Sequence, residues 1–230
     1  MRFLLKLLGT RHRAFCSIAA CCLIVLMLAP VGKANILPPG GTVPPDVNVG
    51  ANYGPIQAGG STGVQNFNFA GNTGSVEEVV TKDPGTGHLD FLMQVVVTAG
   101  ELQHLSVFNF TNAFADGLVD VGYDTTTCIA AIGCAAGTAI APTDVNNTGG
   151  VIEFNFPAPF NITAGHDSFL LFIKTQSDVF APGTLGLIDG GGATLNGFQP
   201  TPEPAQAGLL LGGLFAAGLF FARRFQTRVN

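Results

Sequence analysis

The chain has 230 residues, of which 47% are hydrophobic and only 11% charged, against a usual charged share of ~25%. Five of the ten basic residues lie in the first 33 positions and three in the last eight, leaving Lys82 and Lys174 between them, whereas all fifteen acidic residues fall from Asp46 to Glu203. Residues 35–204 therefore carry two basic against fifteen acidic side chains, a net −13, which excludes the basic footprint that nucleic-acid binding requires and opposes adsorption to anionic lipid.

Residues 1–13 form a basic leader and residues 14–31 an apolar run. Gly32-Lys33-Ala34 then places small residues at the −3 and −1 positions of a cleavage site. The pattern predicts a signal peptide over 1–34, handled by Sec export and cut by signal peptidase between Ala34 and Asn35. Cys16, Cys21 and Cys22 would leave with it.

Residues 35–63 are rich in Gly, Pro and Asn, with Pro-Pro at 38–39 and 44–45. That composition predicts a flexible segment. Within it, Gly59-Gly60-Ser61-Thr62-Gly63 matches G-x-S-x-G. The nucleophile elbow needs a strand before the serine and a helix after it, and the flanking residues offer neither, so a turn is the expectation.

From residue 64 the pattern changes to short β-like runs, at 64–69, 75–82, 89–98, 103–111, 118–123, 151–156, 168–176 and 184–188, separated by Gly, Pro, Asp and Asn turn signals. No sustained 3.6-residue stripe interrupts them. The expectation is an all-β fold, a single β-sandwich or jelly-roll-like domain over 64–196. Phe-Asn-Phe recurs at 67–69, 108–110 and 154–156. In a strand each triplet puts two Phe on one face and Asn on the other.

Cys128 and Cys134 are the remaining cysteines, and so short a separation in an oxidising compartment predicts a disulfide. His88, His104 and His166 lack a third partner at metal-site spacing, although Asp90 could share a strand face with His88. Asp116, Asp120 and Asp124 recur every four residues. In an extended strand Asp120 and Asp124 face away from Val121 and Tyr123. They are the candidate ligands for Ca²⁺, although no DxDxDG loop accompanies them and a solvated acidic face is the plainer reading. No other cofactor is implied, and Asp189-Gly190-Gly191-Gly192 reads as the start of a spacer.

The C-terminus has three parts in order: Pro202-Glu203-Pro204 closing a spacer over 197–204, an uncharged apolar run over 205–222, and a basic tail over 223–230 that opens with Arg223-Arg224. Eighteen helical residues at ~1.5 Å each make ~27 Å, enough to cross a hydrocarbon core. The arginines would stay cytoplasmic and the acidic middle outside. Gly208 and Gly212 form a GxxxG, which permits close helix approach.

This order resembles the PEP-CTERM sorting signal of Gram-negative bacteria, over about 27 residues. The resemblance implies recognition by an exosortase-type membrane protease, with Glu203 between its prolines as the recognition element. Arg223 and Arg224 would be the stop-transfer anchor. It further implies an inner-membrane-anchored precursor, later found at the cell surface or in the extracellular matrix and associated with exopolysaccharide or biofilm. The functional expectation is a non-catalytic structural or adhesive protein. A polysaccharide- or Ca²⁺-binding module and a hydrolase with an unrecognised site are the alternatives.

Overall fold

The computed structural model describes residues 36–48, 51–111, 113, 119–133 and 139–201. The signal peptide, Ala34, Asn35, Asp116, Cys134, Pro202, Glu203, Pro204, the apolar run 205–222, Arg223 and Arg224 lie outside the described residues. No helix among the described residues is long and apolar enough to cross a membrane.

The described chain is all-β. Its first strands are β1 (Thr42–Val43), β2 (Asp46–Asn48), β3 (Ile56–Ser61), β4 (Gln65–Phe69), β5 (Asn72–Lys82) and β6 (Leu89–Ala99). Then come β7 (Glu101–Leu102), β8 (His104–Val107), β9 (Asp120–Asp124), β10 (Ala139–Ile140), β11 (Asp144–Thr148) and β12 (Val151–Asn155). The last are β13 (Ile162–Thr163), β14 (His166–Ser168), β15 (Leu170–Lys174), β16 (Phe180–Ile188) and β17 (Gly192–Pro200).

Six strands form one sheet in the order β1-β11-β12-β8-β16-β17. A nine-stranded sheet runs β10-β14-β6-β15-β9-β2, with β5 on the other side of β6 and β3 and β4 on β5. The long hairpin β5–β6 is its spine. Its turn is set by Asp83, whose carboxylate accepts the Gly85 and Thr86 amides at 2.6 and 2.9 Å, the local side-chain capture that makes Asp a turn former.

The two large sheets share one core. Phe91, Met93, Val95 and Val97 of β6 face Leu105 and Val107 of β8, Ile152 and Phe154 of β12, and Leu185 and Leu187 of β16. Phe91 also meets Phe110 edge-on, with ring centroids 5.1 Å apart. The alternate residues of β6 are buried too, because Leu92 joins a second apolar cluster with Tyr53, Val79, Ile129, Leu170 and Phe172 on the outer face. A strand covered on both sides reads as a continuous apolar run, which is how residues 89–98 read.

Three sequence expectations change. The segment 35–63 carries β1, β2 and β3, and its Leu37 is fully buried with its amide donating to the Val119 carbonyl at 2.8 Å. The two proline pairs keep β1 and β2 short, and both sit at sheet edges, where a missing N–H is tolerated. The spacer placed at 197–204 begins instead as strand, because β17 continues to Pro200. Asp189-Gly190 is the turn of the β16–β17 hairpin rather than the start of a spacer.

The Phe-Asn-Phe triplets behave unequally. At 67–69 the pattern holds, with Phe67 buried, Asn68 exposed and Phe69 packed on the core. At 154–156 both Phe are buried, but Asn155 is buried as well, held by Asp144 at 2.6 Å and His104 at 2.7 Å. At 108–110 the chain leaves the strand, because Asn109 takes φ +67°, a left-handed conformation that Asn tolerates better than most residues.

Candidate functional site

The outer face of the nine-stranded sheet holds a cleft of about 360 Å³, within the range of small-molecule sites. Its floor is Val79 of β5, Leu92 of β6 and Leu170 of β15. One wall is the segment from Ala51 to Ile56, the other the loop from Thr127 to Ala130. Gly54 lets the first wall lie against the sheet: its φ is +72°, and a Cβ there would run into the Lys82 carbonyl.

Asp124 ties both walls down. Its carboxylate accepts the Ala51 amide at 3.0 Å, the Thr126 and Thr127 amides at 2.7 and 3.0 Å, and both threonine hydroxyls at 2.9 and 3.2 Å. Burial raises its pKa, but hydrogen bonds from Thr126, Ala51 and Thr127 outweigh that and hold the carboxyl below the usual range. Gln94 on the sheet grips the second wall, accepting the Ile129 amide at 2.9 Å and donating to the Gly133 carbonyl at 3.3 Å. The cleft is thereby built before any ligand arrives.

Beside the cleft runs a row of polar residues in register across four strands. Thr81 of β5 stands opposite Asp90 of β6, Asp90 opposite Lys174 of β15, and Lys174 opposite Asp120 of β9. The Lys174 ammonium lies 4.8 Å from the Phe172 ring centroid and 5.9 Å from that of Tyr53, a cation–π arrangement. Burial pushes Asp90 up to about 7 and Asp120 up to about 6, with Lys174 drawing both back. Burial, with Asp124 nearby, likewise raises the Tyr53 phenol.

The residues singled out in the sequence do not converge here. Asp120 and Asp124 share a face opposite Val121, and the Asp124 carboxylate accepts five hydrogen bonds from the cleft walls. No three His, Cys, Asp or Glu side chains gather as a metal site among the described residues. His88 pairs with Asp178 at 2.9 Å rather than with Asp90. His104 sits on the other large sheet with Asn155 and Glu153, and His166 bonds Thr163 at 3.1 Å. Ser61 ends β3, donates to Glu77 at 2.8 Å and is followed by β4, not by a helix. Cys128 is disulfide-bonded and lines the cleft.

Tyr53, Thr81 and Lys174 escaped the sequence reading. The one available signal was polar Asp90 and Gln94 interrupting an otherwise apolar strand at even spacing. No protein-family model matches the chain, and no curated protein and no solved structure gives a significant match to it.

Proposed function

We propose that the protein is an exported, non-catalytic β-sandwich displayed at the surface of a Gram-negative cell and sorted by its C-terminal tail, with a structural or adhesive role in an exopolysaccharide matrix. The two sheets packed over one core support the sandwich reading. The observation that supports the sorting reading is how far the described sheet reaches. The Thr201 amide donates to the Val179 carbonyl at 3.0 Å, and its carbonyl accepts the Ser177 hydroxyl at 3.0 Å. The domain is fastened to the residue before Pro202-Glu203-Pro204. Cleavage at that motif would leave every described strand on one side of the cut and the apolar run with Arg223-Arg224 on the other.

The net −13 of residues 35–204 favours uncharged or cationic matrix polymers over anionic ones.

The test is the intact mass and cellular fraction of the protein in its own host, with and without the processing enzyme. A species beginning near Asn35, ending near Pro204 and lying outside the inner membrane supports sorting. A species that keeps Arg223 and Arg224 in the inner membrane whether or not the enzyme is present refutes it.

A further inference from the structure

At its Thr81 end the cleft adjoins buried oxygens that have no hydrogen-bond partner. The Thr81 hydroxyl and Asp90 Oδ2 are buried without a hydrogen bond, on residues only 3% and 2% exposed. They belong to directly opposed positions of β5 and β6. Thr81 lines the cleft, and Leu92, next to Asp90 on the same face of β6, forms its floor. Buried acceptors are ordinarily satisfied, and a carboxylate calls for a donor above all. Lys174 does not supply it: its ammonium rests over the Phe172 ring, and among the described residues it makes no direct ion pair.

The charge around the site selects the sign of the missing donor. Asp83 and Asp120 raise Asp90, Asp46 raises Asp120, Lys174 is the cation that draws both back, and Tyr53 is uncharged. An anion is repelled there and a cation attracted. The floor and the Tyr53 wall ask for an apolar body behind that cation. We propose that the cleft binds a small amphiphilic primary amine, its apolar part on Val79, Leu92 and Leu170 and its ammonium directed at Thr81 and Asp90. The inference concerns the folded domain alone and stands whichever way the sorting experiment falls.

Binding of an ammonium favours ionised Asp90, so affinity rises with pH. A carboxyl pushed to about 7 gives about a tenfold gain between about pH 6 and about pH 8 by proton linkage. Asp120, pushed to about 6, acts in the same direction.

The experiment is calorimetric titration of the full chain with phenethylammonium, phenethyl alcohol and phenylpropanoate, which share an apolar body and differ in charge. Saturable binding of the ammonium is expected, with weaker binding of the alcohol and none of the carboxylate. Asp90→Asn should weaken the ammonium about tenfold and flatten its pH dependence. Thr81→Val, which keeps the side-chain shape, should weaken it severalfold should the first variant not fold. Equal affinity for the three probes, no saturable uptake of the ammonium, or unchanged affinity in the variants that fold overturns the proposal.

Discussion

Glu78 is fully buried between the two large sheets, and its Oε2 accepts the Phe198 amide at 2.9 Å. The bond fastens β17 of one sheet to β5 of the other. Gln65 strengthens the same seam, donating to the Asn196 carbonyl at 2.8 Å and accepting the Asn196 amide at 3.0 Å. Sheet edges left open invite pairing with other chains. Here side chains from the facing sheet occupy part of the β17 edge.

The seam makes stability depend on pH. Burial pushes the Glu78 carboxyl up to about 8, with the Phe198 amide drawing it partly back. A carboxyl whose folded pKa lies above its unfolded value binds its proton more tightly in the folded state. Its contribution is therefore complete below about pH 4.5 and is lost progressively as the pH rises to about 8. At ~1.4 kcal/mol per pKa unit, the loss amounts to a few kcal/mol. Urea unfolding midpoints should fall across that window in the native chain and fall less in Glu78→Gln. Asp90 and Asp120, also raised, keep a residual slope.

Gly197 makes room for that carboxylate. A Cβ at this position would lie 2.8 Å from Glu78 Oε2 and 3.0 Å from the Leu185 side chain and the Thr184 carbonyl carbon. Gly197→Ala should cost about 1–3 kcal/mol, the usual range for overpacking. In a double-mutant cycle with Glu78→Ala the cost should shrink, because the nearest of the three obstructions is gone. Equal costs in both backgrounds would assign the strain to the Leu185 side chain and the Thr184 backbone.

The β5–β6 spine was legible because a strand buried on both faces leaves an apolar run in the sequence, and residues 89–98 carry it. β17 was not, because GATLNGFQP has five polar or glycine positions against two large apolar ones, Leu195 and Phe198. β11, DVNNT, reads as a turn for the same reason, yet Val145 joins the core with Asn147 buried beside it. The cleft was illegible in principle. Its walls are brought together by Asp124 holding Ala51, 73 positions away, and by Gln94 holding Ile129, 35 positions away, and no local pattern encodes such long-range ties.

Cys128 forms a disulfide, and the sequence reading gives Cys134 as its partner. Non-reducing peptide mapping should recover a single linked peptide that spans both cysteines, and no link to Cys16, Cys21 or Cys22. Closing so small a loop stabilises by roughly 2 kcal/mol on the chain-entropy account. Reduction should therefore lower the melting temperature modestly and loosen the wall from Thr127 to Ala130, leaving the core between the sheets intact. A large loss of stability on reduction would mean that the bond ties more distant parts of the chain.

Asp124 should govern the cleft more strongly than any residue on its floor. Its carboxylate satisfies three backbone amides in both walls, whereas Gln94 holds only the second. Hydrogen bonds to a charged acceptor contribute about 1.5–3 kcal/mol each at most and overlap when they share one carboxylate, so Asp124→Ala should cost about 3 kcal/mol. Because the folded pKa lies below the ordinary value, this stabilisation is present above the unfolded pKa and fades as the pH drops through the folded one, opposite in sign to Glu78. Amide hydrogen exchange locates the effect. The amides of Ala51, Thr126 and Thr127 should exchange much faster in Asp124→Ala while those of β6 stay protected, and uniform acceleration across both sheets would instead make Asp124 a residue of global stability with no special hold on the cleft.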